Sequence, residues 1–221
     1  MLSTADAIRA RRSVRGFLPE PIAPHTLRAV FELAQWAPSN CNTQPWITHV
    51  ASGDTCELLR RRISEAARDP AQSAPDFPYD GKYSGIYRER QIDAAVRLWG
   101  SMKITREDKA GRAASFARNF AFFGAPHVAF LFLPEPFGLR EAADCGMYAQ
   151  TLMLALTAHG LASCPQTALS YHAPIVREVL GVPDSHKLLF GLSFGREDPA
   201  VEANECRTER APLDASVRFH E

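Results

Sequence analysis

In Gly124-Ala125-Pro126-His127-Val128-Ala129-Phe130-Leu131-Phe132-Leu133 a turn signal runs straight into unbroken apolar sequence. Apolarity without alternation marks a central strand buried on both faces. Residues 188–194 repeat the pattern and read as a second buried strand. A third strand is expected over 47–51 and a last one over 215–219. Residues 4–11 read as a short helix that Ser3 or Thr4 can cap. Pro24 opens a helix over 25–36, where Leu27, Val30, Phe31 and Ala34 recur at helical spacing until Pro38 stops it. Further helices are expected over 55–67, 86–102, 106–122, 140–159 (ended by Gly160) and 173–180. The stretch 69–81 holds Pro70, Pro75 and Pro78 and reads as a loop, a candidate lid. Residues 198–212 are polar and irregular. No repeat, low-complexity tract or linker divides the chain, so 1–221 is expected to be one α+β domain with helices covering a small sheet.

Lys plus Arg and Asp plus Glu each number 25, so no global field draws the chain to nucleic acid or an anionic membrane. No signal-peptide pattern opens the sequence, and apolar runs such as 128–133 and 152–157 are far too short to span a bilayer. The five cysteines, Cys41, Cys56, Cys145, Cys164 and Cys206, form no C-x-x-C pair. That argues against a disulfide framework or structural zinc and for a reducing compartment, so a soluble cytoplasmic protein is expected. His49, His127, His159, His172 and His186 are scattered and read as structural, and no spacing suggests a metal site.

Charge is nevertheless concentrated locally. Arg11, Arg12, Ser13 and Arg15 fall within five residues at a helix end. Guanidinium forks bind phosphate in bidentate fashion and a hydroxyl adds a donor; a solvated basic turn is the plainer alternative. In Ala37-Pro38-Ser39-Asn40-Cys41-Asn42-Thr43-Gln44-Pro45-Trp46, amides and hydroxyls are packed between prolines. They supply the donors and acceptors that a polar heteroaromatic edge needs, although a turn stapled by a buried Trp46 would also explain them. A phosphate site together with a heteroaromatic-edge site suggests flavin mononucleotide (FMN). The segment 160–168 either aims a backbone N–H at a flat ligand or is a helix exit into a strand. Asn204, Arg207 and Arg210 precede Pro212-Leu213 as a second basic pair. Cys41 and Cys164, inside two of these segments, read as small buried thiols.

In their order along the chain these blocks resemble the FMN-dependent nitroreductase family, in particular its nitrobenzoate-reductase-like branch. The resemblance runs through Arg-Arg-Ser-Val-Arg at 11–15, Ala-Pro-Ser-Asn-x-Asn-x-Gln-Pro-Trp at 37–46 and Gly-Ala-Pro at 124–126. It continues through Gly-Leu-x-x-Cys-Pro-Gln at 160–166, Phe-Gly-x-x-Asp-Pro at 194–199 and Asn-x-x-Arg-x-x-Arg-x-Pro-Leu at 204–213. No motif anchors 53–123.

The resemblance implies a three-layer α-β-α sandwich around a mostly antiparallel sheet, in an intertwined homodimer with two FMN sites at the subunit interface. Arg11, Ser13 and Arg210, with Arg207, would hold the phosphate, and Arg12 would add main-chain or side-chain contacts. Arg15 would face the N1–O2 edge, where a cation stabilises the charge of the reduced ring. Pro38, Ser39, Asn40 and Asn42 would come from the partner chain. Pro165, Gln166 and Thr167 would cover one flavin face and aim an N–H at N5, although many relatives carry Glu-Gly near this position. Asn119 is a further candidate for the pyrimidine edge. The implied activity is ping-pong, two-electron reduction of nitroaromatics or quinones by NADH or NADPH, with the chemistry carried by FMN. Residues 69–104, with Phe77, Tyr79, Tyr83, Tyr87, Arg88 and Arg90, form the expected lid or substrate region. A flavin-dependent reductive dehalogenase or enone reductase on the same site stays open, as does a non-catalytic FMN-storage or sensing protein.

Overall fold

The computed structural model describes residues 2–220. Its elements run α1 (Thr4–Ala10), α2 (Pro24–Ala34), β1 (Ile47–Ser52), α3 (Gly53–Ala66), α4 (Gly85–Ser101), α5 (Lys109–Ala117), β2 (His127–Pro134), α6 (Leu139–Ala158), β3 (Ala162–Gln166), α7 (Ala173–Leu180) and β4 (His186–Gly195). The four strands make one sheet in the order β1-β2-β4-β3, antiparallel throughout.

The unbroken apolarity of β2 now has its cause. Alternate side chains leave opposite faces of a strand. Val128, Phe130 and Phe132 enter one core with Leu59 and Ile63 of α3 and Val176 of α7. Ala129, Leu131 and Leu133 enter another with Val30 and Ala34 of α2 and Tyr148, Leu152 and Leu156 of α6. The result is the expected three-layer sandwich. Each large side chain buried this fully contributes ~1.5–3 kcal/mol. β4 changes faces part-way along: Leu131 pairs with Phe190 but Phe132 with Leu188, which leaves Leu189 as the extra residue of a bulge. Leu188 therefore joins the α3–α7 core, while Phe190, Leu192 and Phe194 join the α2–α6 core. Gly191 sits where β4 passes Leu169, and any Cβ there would collide with that side chain.

Two expected elements differ. The helix anticipated over 106–122 is only α5, capped by Asp108, whose Oδ1 accepts from Gly111 N at 2.8 Å. Beyond it the chain turns back, with Phe122 and Phe123 in left-handed backbone (φ 56° and 53°), so that both rings can be buried beneath the sheet. The strand anticipated over 215–219 is absent. That alternation runs along an exposed tail, where Phe219 is 80% exposed and residues 217–220 pair with no strand.

His127 locks the start of β2 to two neighbours. Ile22 N–H donates to Nε2 at 2.8 Å, so that nitrogen is unprotonated. Nδ1 therefore carries the hydrogen and donates it to Ser52 Oγ at 2.6 Å. The ring also stacks on Phe194, 5.3 Å between centroids. A second proton would have to displace Ile22 N–H, and burial holds the imidazole below its ordinary value. The sign follows from linkage: with the folded-state value depressed, stability is fully present above the ordinary histidine value and is lost as pH falls through and below it. His49 and His172 are depressed too, both first by burial. We predict falling stability by urea unfolding between about pH 7 and pH 5. His127→Phe should cost roughly 1–3 kcal/mol at neutral pH by orphaning Ile22 N–H, and should flatten that pH dependence. An unaltered slope in the variant would remove His127 from the account.

Candidate functional site

The first arginine cluster is shaped by its pairing with β3. Ser3 Oγ accepts from Asp6 N at 3.2 Å to cap α1, and Arg11 leaves the helix in extended backbone. Ser13 then bridges Ser163 in parallel, and Val14 N–H donates to Ser163 O at 3.0 Å. Extended backbone alternates, so Arg11, Ser13 and Arg15 share one side while Arg12 and the buried Val14 share the other. On the first side a cavity of about 630 Å³ opens, lined by Arg11, Ser13, Arg15, Arg207, Thr208 and Arg210 among others.

Within this cluster the arginines have different fates. Arg12 reaches the cavity edge, but its guanidinium is engaged by both carboxylate oxygens of Glu197. Arg11, Arg15, Arg207 and Arg210 make no ion pair among the described residues. Arg207 donates to Asn204 O at 2.7 Å, and Arg210 to Thr208 Oγ1 at 3.1 Å. Burial, and then the charge on Arg210, hold Arg11 below the usual arginine range. Cations gathered without a counter-charge favour an anion between them.

The backbone of Arg15 is gripped from both sides. Its N–H donates to Asn204 Oδ1 at 2.7 Å, and its carbonyl accepts from Arg118 Nη2 at 2.6 Å. Asn204 Nδ2 donates onward to Gly16 O and Asp198 O, each at 2.9 Å. Gly16 permits this approach, because a Cβ there would collide with Val201. Sequence reasoning placed Asn204 in a motif but missed this role, and it missed Arg118 and Glu197. The cue for Glu197 is its place inside the Phe-Gly-x-x-Asp-Pro block. Arg118 carries no local cue, since it meets Arg15 only through the tertiary fold.

The other expected residues divide. Gln166 is buried and turned inward: Nε2 donates to Asn119 O at 2.9 Å, and Oε1 accepts from Ser193 Oγ. Asn119 Nδ2 donates to Phe116 O at 2.9 Å. The side chains of Gln166 and Asn119 thus tie β3, β4 and the end of α5 together, while Pro165 and Thr167 stay exposed. Burial pushes the Cys164 thiol up to about 11, against the pull of Arg15, so it is a neutral thiol. Cys41, expected to be buried, is exposed. Pro38, Ser39, Asn40 and Asn42 do not line the arginine cavity of their own chain. Their loop holds Cys41, Asn42 and Gln44 at φ 49°, 57° and 48°, left-handed backbone that costs non-glycine residues about 1–2 kcal/mol apiece. Ser39 Oγ accepts from Gln44 N at 2.9 Å across it.

The expected lid is pinned at its start. Ala74 N–H donates to Tyr171 O at 2.7 Å, and Asp76 Oδ2 accepts from Leu188 N at 2.7 Å and from Arg177. Phe77, Tyr79, Tyr83 and Tyr87 beyond it are exposed, Tyr87 most at 64%. Arg88 donates to Gln91, and Arg90 lies over the Tyr87 ring. Among the described residues no group of His, Cys, Asp and Glu could hold a metal, and no helix is long and apolar enough to cross a membrane.

An antiparallel sheet sandwiched between helices, with an arginine-lined cavity beside its β3 edge, defines an α+β protein with a cationic pocket. The Nitroreductase family model matches residues 8–196, and the chain belongs to that family. It is 46% identical over 216 residues to nitroreductase NfnB of Mycolicibacterium smegmatis, covering 96% of this chain and 90% of that protein. It is 34% identical over 213 residues to the 4-nitrobenzoate reductase of Pseudomonas putida, covering 96% and 93%. The crystal structure of the FMN-dependent nitroreductase NfnB from Mycobacterium smegmatis in complex with NADPH superposes with a TM-score of 0.93 at 44% identity, covering 99% of this chain and 98% of that one.

Asn204→Ala should orphan Arg15 N–H and lower stability by roughly 1–3 kcal/mol. Urea unfolding checks this, and a variant as stable as the wild type would refute the grip on Arg15.

Proposed function

We propose that this protein is an FMN-dependent oxidoreductase that uses NADPH or NADH to reduce nitroaromatic compounds and quinones, with the whole chain as one FMN-binding domain. The observation that carries the proposal is the cavity where Arg11, Arg207 and Arg210 gather without a carboxylate while Arg12 is neutralised by Glu197. Arg11, Ser13, Arg207 and Arg210 would hold the FMN phosphate. Arg15, whose backbone N–H and C=O are both held, would face the flavin edge. The exposed Pro165 and Thr167 lie at the end of β3 next to this cluster, where they would cover a ring face. Bound FMN supplies the two-electron redox chemistry, and the residues supply orientation and positive potential.

A second, more apolar cavity of about 930 Å³ is walled by Phe116, Phe120 and Tyr171 and includes Arg118, which donates to Arg15 O; it would give an aromatic acceptor room. Donor and acceptor would occupy the open face in turn, which is ping-pong kinetics. Pro38, Ser39, Asn40 and Asn42 would complete the FMN site of a second copy in a homodimer, because they are presented outward and away from their own arginines.

The test is the visible spectrum of the purified protein, followed by anaerobic addition of NADPH or NADH. A flavin spectrum that bleaches and returns on adding a nitroarene or quinone is expected; a flavin spectrum that does not bleach would favour storage or sensing. Arg11→Ala should weaken FMN retention by ~1.5–3 kcal/mol through loss of a charge-assisted phosphate bond, read as flavin content after dialysis. Asn40→Ala should lower FMN affinity with the fold intact. Unchanged affinity in either variant contradicts its assigned role.

A further inference from the structure

The loop 38–44 is held at both of its ends by one face of α6. At its start, Asn40 N–H donates to Asp144 Oδ2 at 3.1 Å. At its exit, Trp46 stacks on Tyr148, 4.9 Å between centroids with the rings 18° apart, and its Nε1–H donates to Gln35 Oε1 at 3.1 Å. Asp144 and Tyr148 are four residues apart and so lie one above the other on the helix. Between these two anchors the chain runs through its three left-handed residues, and everything from Asn40 to Gln44 is exposed.

Asp144 itself is an unusual residue to find there. It is 4% exposed, it makes no ion pair among the described residues, and its recorded partner is a backbone N–H. A buried carboxylate without a cation is costly, and strained backbone persists only where its surroundings over-determine it. Both costs fall on one loop, whose Asn42 side chain makes no hydrogen bond within the described residues. The loop is thus anchored at both ends with its amides exposed.

We infer that Asp144 is a positioning residue for the amide-bearing loop 38–44, acting on the FMN site of a second copy of the chain and not on its own. The inference rests on the shared-site reading proposed above. Asp144 touches neither flavin nor substrate. It fixes the peptide of Asn40, so that the amides and hydroxyls beyond arrive in one arrangement with their ordering entropy already spent.

The experiment uses full-length dimers stripped of flavin and titrated with FMN. Asp144→Ala, which removes the acceptor, is expected to weaken FMN about tenfold or more. Asp144→Asn, whose amide oxygen still accepts from Asn40 N–H, is expected to stay within about threefold of wild type. Wild-type affinity in Asp144→Ala overturns the inference and leaves the FMN reading intact, as does equal weakening by Asp144→Asn. Asp144→Ser, with a hydroxyl too short to reach, replaces Asp144→Ala if that variant does not fold.

Co-expression of Asp144→Ala with Arg11→Ala on differently tagged chains then separates the two copies. In the heterodimer the sound loop of the Arg11→Ala chain meets the sound arginines of the Asp144→Ala chain. One FMN at wild-type affinity and one bound far more weakly are expected. Two weakened sites would mean that Asp144 serves its own chain, overturning the inference and the shared-site reading together. Wild-type protein that takes up no FMN would defeat the proposed function first, a result distinct from the others.

Discussion

Strand β2 must fill two cores at once, and this constraint organises the molecule. Its odd and even side chains belong to different helical layers, so any slip in register would exchange Phe130 and Phe132 for Ala129 and Leu131 and mismatch both. The bulge at Leu189 in β4 matters for the same reason, because it lets one strand serve the α3–α7 layer at Leu188 and the α2–α6 layer from Phe190 onward. With β2 and β4 fixed, β3 takes the remaining edge of β4. That edge position is what lets residues 13 and 14 pair with Ser163 and spread the arginines.

Long-range polar contacts then convert this frame into a site. Asn204 and Arg118 come from different parts of the chain and meet at the peptide groups of Arg15. Glu197 removes one cation from the cluster, which leaves the others as the open, uncompensated set. The cavity's positive character is therefore a matter of selective pairing: the chain as a whole carries no net charge.

Much of this was legible in the sequence. The buried strands at 127–133 and 188–194 were readable because doubly buried strands lose polar alternation, and α2 because Val30 and Ala34 keep helical spacing before Pro38. The arginine blocks at 11–15 and 207–210 do converge on one cavity. Less legible were features decided by tertiary contact. Nothing local says that Gln166 turns inward to Asn119 and Ser193, or that Arg12 pairs with a glutamate far along the chain. The alternation at 215–219 misled because a strand needs a partner, and this exposed tail pairs with none. At 118–123 the aromatic residues read as more helix, whereas burial of Phe122 and Phe123 demanded left-handed turns that the pattern does not encode.

The grip of Asn204 on Arg15 has a consequence for how the protein is made. The N-terminal arginines emerge early in synthesis, but the asparagine that fixes their backbone and the arginines that complete their cavity lie near the other end of the chain. Contacts of such sequence separation close late in folding. A chain stalled or truncated before residue 204 would carry the arginine cluster in an unfixed form, without its C-terminal half. The complete cavity is therefore a property of the finished chain, assembled from its two ends.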